Sequence, residues 1–404
     1  MLRHLPSILL KLSRASVITV SSSICALLEL WVLSSKLHVH DLGVVLAAQG
    51  VAALLAAVGE AGFALWVPQR LAHCATPLRL TALSRYAVSI RLPLFAIQTL
   101  LIAIATRYTI VGWNNFGLTL IMSASMAFSF GWVFISSERY VLIALTESIA
   151  RLTGLLAFMF IPTKSADMAL VCLGSASALQ SAGQLLIAYH IGLLSALPVP
   201  KLRRFRIHVR HFAAYRSSII QAAGRNILPV SVGAAVAPPL ASSALAAEKV
   251  SRAAMGIISA VLGYILPTLG RGFREKPTIH VTGINLFITL LVSIGTMVAL
   301  KLYAQFSHAS LAQLFSEDGK LLALAAVLTG ARVAFSVMLY VRVLAAGNFV
   351  LATRLLLIQT AGAIFATMIL CETSSAAVFL FSLALIDLLL MTAMAHFCNR
   401  SAKN

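Results

Sequence analysis

Several charged side chains of this 404-residue chain fall inside long apolar stretches, among them Glu29, Glu60, Glu147, Arg151, Arg225, Glu248, Lys249, Arg252, Arg332 and Asp387. A charge in hydrocarbon is costly, so such residues face a bundle interior or a wet cavity. The set predicts a polar route through the protein. Arg225, Arg332, Arg151 and Arg252 are the candidate binding cations, able to hold an anion through charge-assisted hydrogen bonds. Glu60, Glu147, Glu248 and Asp387 are the candidate coupling or counter-ion carboxylates, able to balance those cations or to bind a proton or sodium ion. At about 1.5 Å per helical residue, Arg225 lies about 12 Å from the inner end of its helix, and Arg332 and Asp387 fall near the bilayer middle. Glu60 falls near an inner boundary.

Two pairs share one helix face at i, i+4 spacing: Glu147 with Arg151, and Glu248 with Arg252. Each fits either a switchable pair lining a cavity or a mutually neutralised pair that lets both charges reside in a low-dielectric bundle. From Glu248 the face continues through Arg252, Gly256, Ser259 and Gly263, a stripe that serves equally as packing seam or lumen wall. Pro229, between Gly224 and Gly233, removes a backbone donor and marks a bend, hinge or static kink. No paired-carboxylate arrangement, metal-ligand helix motif, nucleophile elbow or phosphate-cradling loop is present, so neither an enzyme nor a metal or cofactor protein is expected. His38, His40 and Asp41 make the only tight histidine group. Cys25, Cys74, Cys172, Cys371 and Cys398 have no paired spacing, so no disulfide framework or zinc pattern follows.

The elements that must position these residues are membrane helices. A chain that is 60% hydrophobic and 11% charged, with mean hydropathy +0.94, cannot hide that apolar surface in a water-soluble core. About 20 apolar residues cross the hydrocarbon, and on that measure spans are expected near 15–35, 42–66, 88–106, 110–135, 140–161, 168–195, 217–237, 241–268, 281–302, 319–341, 348–371 and 375–397. The first is read as a membrane helix and not as a cleaved leader. No strand-like alternation supports a barrel. The expected fold class is an all-α polytopic membrane protein of about 12 helices, in two six-helix bundles, which the family resemblance given below implies surround a central cavity. Residues 1–198 and 217–404 form the halves, and 199–216 a basic amphipathic linker on the cytoplasmic face. Arg139–Leu142 and Asn348–Leu351 open the fifth and eleventh spans alike, a faint parallel repeat.

With both termini cytoplasmic, about 21 basic residues, Arg79, Arg85 and Arg91 among them, fall on the inner side and about 5 on the outer. The formal charge of +19 is therefore assigned to topology and to anionic lipid headgroups, not to nucleic acid.

Three segments carry a family resemblance: GEAGFALWVPQRLA (59–72), SSERYVLIALTESIARLTGLL (136–156) and AAEKVSRAAMGIISAVLGYILPTLGR (246–271). They resemble the second, fifth and eighth helices of the oligosaccharide flippase (Wzx-type) family of polysaccharide biosynthesis, within the multidrug/oligosaccharidyl-lipid/polysaccharide exporter superfamily. The resemblance implies two six-helix bundles forming a V around a central cavity. It also implies a flippase moving undecaprenyl-diphosphate-linked oligosaccharide, for O-antigen, capsule or exopolysaccharide, across the bacterial cytoplasmic membrane by alternating access, with membrane lipids, a polymerase and a chain-length regulator as partners. Arg225 and Arg332, helped by Arg151 and Arg252, would receive the diphosphate. These cations are carried by depth and helix face, not by a matching motif. The first span shows only Glu29, without the cations of the related lipid II flippases, which argues against a peptidoglycan precursor. The alternatives are a drug or metabolite antiporter of the same superfamily and a membrane polysaccharide polymerase.

Overall fold

The computed structural model describes residues 5–71, 76–162, 164–199, 209–237, 240–253, 290, 292–298, 301, 319–339 and 349–401. Every regular element among the described residues is helical, as a backbone must be where lipid offers no hydrogen-bond partners. In chain order these are α1 (Leu5–Lys36), α2 (Val39–Glu60), α3 (Phe63–Leu71), α4 (Pro77–Arg107), a 3-10 turn (Trp113–Asn115), α5 (Phe116–Ala127), α6 (Gly131–Ser136), α7 (Tyr140–Phe160), α8 (Ala166–His190) and α9 (Val209–Ala235). There follow α10 (240–253), α11 (Gly319–Met338), α12 (Phe349–Thr373) and α13 (Ala376–Ser401).

Seven stretches among the described residues are long and apolar enough to cross a membrane: Val39–Glu60, Pro77–Arg107, Trp113–Ser136, Tyr140–Phe160, Ala166–His190, Arg354–Thr373 and Ala376–Met394. The chain is an all-α, multi-pass membrane protein. Shorter apolar helices, Asn226–Ala235 and Ala323–Ser336, stand where the seventh and tenth spans were expected. Most of the expected span 281–302 and the half of 241–268 beyond 253 lie outside the described residues, as do Gly256, Ser259 and Gly263.

Several helices depart from the sequence expectation for local reasons. The third span begins at Pro77, not near 88, because Thr76 caps it: its side chain accepts from Arg79 N at 3.4 Å, and the proline occupies a position that needs no donor. The first helix starts at Leu5, so Lys11 and Arg14 lie on it. That corrects the reading of a first helix bearing only Glu29. Two spans are interrupted. The stretch expected at 42–66 stops at Glu60, passes Ala61 (φ 57) and Gly62 (φ 72) in the left-handed region, and restarts as α3. The stretch at 110–135 is α5 and α6 with Phe128–Phe130 between them. Pro229, by contrast, lies within a continuous α9, and a Cβ placed at Gly50 would meet its ring. The proline is thus a packing contact of α2 and α9.

Contacts divide the described chain into residues 1–43 with 235–404, and residues 44–234. This differs from the sequence division into 1–198, 199–216 and 217–404: α1 groups with the C-terminal helices, and α9 groups with α2–α8 up to residue 234. Chain order shows where a polar linker falls, whereas packing shows which helices share a core. Residues 200–208 of the expected linker lie outside the described residues, and 209–216 are the first turns of α9.

Within 44–234, α8 packs against α5 and α7, α4 against α5, and α3 against α6. Within the other unit α13 packs against α11 and α12, where Phe335, Leu339, Leu355, Leu390 and Met394 form one buried cluster. α2 is closely packed at Gly59, where a Cβ would meet Gln98 Oε1 of α4 and lie 2.7 Å from Ala127 Cβ of α5. Gly59→Ala is expected to cost about 1–3 kcal/mol through overpacking. A lowered thermal unfolding midpoint of the detergent-purified protein would report it; an unchanged midpoint would show slack among α2, α4 and α5.

Candidate functional site

In the unit formed by 1–43 and 235–404, side chains of five helices meet in ionic and hydrogen-bonded contacts. Glu248 on α10 is 2% exposed, and one turn later Arg252 brings Nη2 to 2.6 Å of its Oε2. Arg332 on α11 places Nη1 2.8 Å from the other oxygen, Oε1, and Nε 3.6 Å from Asp387 Oδ2 on α13. Gln359 on α12 donates from Nε2 to Asp387 Oδ1 at 2.6 Å. Beside Glu248 in sequence, Lys249 pairs with Glu29 of α1 at 2.8 Å.

The geometry follows from helical periodicity. Residues four apart share a face, so Glu248 meets Arg252 on its own helix and can still offer its second oxygen to a neighbouring one. Arg252, Glu248, Arg332 and Asp387 balance as two cations and two carboxylates. This balance is what permits burial, because an unpaired ion here would lose its hydration without compensation. Arg332 is the central member: its planar fork faces two carboxylates on different helices, Glu248 through Nη1 and Asp387 through Nε.

The structure therefore brings together four of the eight candidate residues: Arg252, Arg332, Glu248 and Asp387. The other four belong to 44–234. Glu147 and Arg151 pair on α7 at 2.9 Å, with side chains 12% and 29% exposed. Arg225 lies on α9 one turn before Pro229. Glu60, at the end of α2, accepts from Ala64 N at 3.0 Å through Oε1 and so caps α3. The interruption after α2 and this cap account for the GEAGF segment: Gly59 for close packing, Glu60 for capping, Ala61 and Gly62 for the left-handed turn.

A second polar constellation was missed in the sequence. Arg91, expected among the inner-face basic residues, is fully buried in α4. It donates from Nη1 to Ser129 O at 3.1 Å and from Nε to Glu60 O at 3.4 Å. Its guanidinium stands 5.3 Å and 5.8 Å from the ring centroids of Phe63 and Phe130. Both carbonyls sit at helix interruptions, where the intrahelical partner is lost. Gln184 of α8 serves the second interruption, its Oε1 accepting from Ser129 Oγ at 2.7 Å and Phe130 N at 3.1 Å. Two turns beyond Arg91, Gln98 donates to Ser123 Oγ at 2.7 Å, which donates to Ala52 O at 2.9 Å. The position of Arg91 inside the expected 88–106 span was the available signal.

No family model matches the sequence, and no curated protein matches it. Solved structures do. The lipid II flippase MurJ in an inward closed conformation is similar with TM-score 0.69 and 14% identity, over 96% of this chain and 87% of that one. An inward-facing multidrug resistance MATE family transporter of the MOP superfamily matches with TM-score 0.58 and 13% identity, over 97% and 94%. A MOP superfamily transporter from Pyrococcus furiosus, described by the reverse polarity of its binding pocket, gives 0.57 and 12%, over 97% and 95%. At these identities the likeness shows the fold: over nearly its whole length, this chain is folded as MOP superfamily transporters are.

Proposed function

We propose that the chain is a flippase carrying undecaprenyl-diphosphate-linked oligosaccharide repeat units across the bacterial cytoplasmic membrane by alternating access, for O-antigen, capsule or exopolysaccharide synthesis. The observation that carries this reading is the buried Arg252–Glu248–Arg332–Asp387 cluster inside a multi-pass helical protein of transporter fold. The two halves act as six-helix bundles, with both termini cytoplasmic. A diphosphate exchanges for a carboxylate on Arg332 or Arg252, so each guanidinium trades one anionic partner for another and is never left bare. Arg225 and Arg151 serve the same cargo. The prenyl tail stays in lipid, and the carboxylates released from the arginines are available for a proton or sodium ion. No covalent step is involved. A polysaccharide polymerase and a chain-length regulator then receive the product.

Two further readings have their own observation. Lys11 and Arg14 lie on α1, which restores the first-helix cations whose absence argued against a peptidoglycan precursor, and MurJ is a structural neighbour. The likeness to MATE transporters favours a drug or metabolite antiporter.

Deleting the gene and analysing surface polymer together with lipid-extractable prenyl-linked sugar separates the readings. Completed repeat units trapped on the cytoplasmic leaflet, with polymer lost, support the flippase. Trapped lipid II identifies the peptidoglycan precursor, and normal polymer without trapped lipid favours the antiporter. In the complemented strain, Arg225→Gln with Arg332→Gln at normal protein level is expected to lower flipping tenfold or more, the loss of roughly one charged hydrogen bond of about 1.5–3 kcal/mol. Arg225→Gln with Arg252→Gln serves where loss of Arg332 lowers the protein level. Intact flipping in both would overturn the residue assignment.

A further inference from the structure

We propose that α3 and α6 move as one piece on two backbone joints, and that Arg91 is the positioning residue that sets the angle of that piece. The inference rests on the transporter reading only for its purpose; its geometry lies wholly within residues 44–234.

The joints are the two helix interruptions. At the first, Ala61 and Gly62 adopt φ 57 and 72 between α2 and α3. At the second, Phe128 to Phe130 separate α5 from α6, with Phe128 N bonded to Ala124 O and Val133 N to Phe130 O on either side. Interruptions of this kind concentrate backbone freedom, because the i to i−4 ladder is absent there.

The piece itself is well knit. α3 packs against α6, and Phe63 meets the Trp132 ring at 6.3 Å and the Trp66 ring at 6.0 Å. Phe63, Trp66, Trp132, Val133 and Phe134 are all buried. Tyr86 of α4 stands 5.7 Å from Phe63 and 5.9 Å from Trp66, so a turn of the piece slides these rings past Tyr86 while the contacts between α3 and α6 are kept.

Uninterrupted helices hold both joints from outside. α4 supplies Arg91, whose fork takes the carbonyl at the start of the first joint with Nε and the carbonyl inside the second with Nη1. α8 supplies Gln184 to the second joint alone. One side chain thus couples two joints that are far apart in sequence. The longer contact, 3.4 Å to Glu60 O, is the one free to lengthen while the shorter is kept. On the topology proposed above the piece caps the inner ends of the second and fourth spans, where an inner gate must open and close.

The test uses spin-label distances in the full-length protein in nanodiscs, with its five cysteines replaced and no ligand added, so the outcome is independent of the cargo. One label pair, Ala64→Cys with Ser137→Cys, reports α3 against the end of α6. A second, Ala64→Cys with Leu100→Cys, reports α3 against α4. The expected result is one narrow distance for the first pair and two populations for the second. Arg91→Lys, which keeps the charge but loses the fork, is expected to change the ratio of those populations tenfold or more without broadening the first pair. Gly62→Ala leaves Arg91 in place and strains the first joint at φ 72; it should move the ratio as well, and stands in if Arg91→Lys does not fold. A single α3–α4 distance common to wild type and both variants would overturn the proposal, as would an α3–α6 distance that broadens in step with it. A normal flipping assay alongside a single distance would remove the joints and leave the flippase reading intact.

Discussion

Arg332→Met is expected to cost about 3–5 kcal/mol of stability, enough to remove much of the protein from the membrane fraction. The reasoning is electrostatic and not volumetric. Glu248 and Asp387 have side chains only 2% and 4% exposed, and Arg332 is the cation common to both. Methionine fills similar space but leaves two carboxylates within one buried site, with Arg252 alone to face Glu248 and Gln359 alone to face Asp387. Adding Asp387→Asn to Arg332→Met removes the excess charge, leaves Glu248 paired with Arg252, and is expected to restore protein level and thermal midpoint close to wild type, because a balanced set of buried ions contributes little net stability over neutral replacements. Transport should stay low in this double variant. If it recovers together with the protein level, the cluster serves folding alone and the binding role given to Arg332 falls.

Arg91→Leu is expected to be the second most damaging single change. The guanidinium is fully buried and bonded to two carbonyls that have no helical partner. Leucine spares the cost of burying a cation, an offsetting gain, but each orphaned carbonyl costs about 1–3 kcal/mol, and the contacts with Phe63 and Phe130 go as well. The losses exceed the gain because Arg91 supports two interruptions at once. Limited proteolysis should then cut near residues 61–62 and 128–130 before anywhere else in the 44–234 unit. An unaltered cleavage pattern and thermal midpoint would show that Gln184 and the aromatic packing suffice.

What the sequence revealed of this site followed the range of its interactions. Glu147 with Arg151 and Glu248 with Arg252 were legible because helical periodicity alone brings them together, and the structure pairs both at under 3 Å. Glu29 with Lys249, and Arg332 with both Glu248 and Asp387, were seen as isolated intramembrane charges; their pairing depends on which helices pack, which no local pattern encodes. Arg91 was misassigned for a different reason. Counting basic residues near span ends treats them as loop charges, and the true start of α4 at Pro77 carries Arg91 well inside the helix. The helix interruptions escaped notice because neither contains proline, while Pro229, read as a bend, hinge or static kink, sits in a continuous helix. The overall membrane-helical class needed none of this detail, since apolar length alone determines it.

The near-complete burial of Glu248 and Asp387 also separates two responses to ionic strength. Mobile ions cannot enter between charges that water barely reaches, so raising salt from about 0.01 M to about 1 M, which shortens the screening length from about 30 Å to about 3 Å, leaves the Arg332 contacts almost unchanged. The surface lysines and arginines feel that change in full. On the proposed flippase reading, a salt titration of transport reports the approach of an anionic lipid to the basic surface, while any hold by the buried arginines is what high salt fails to abolish.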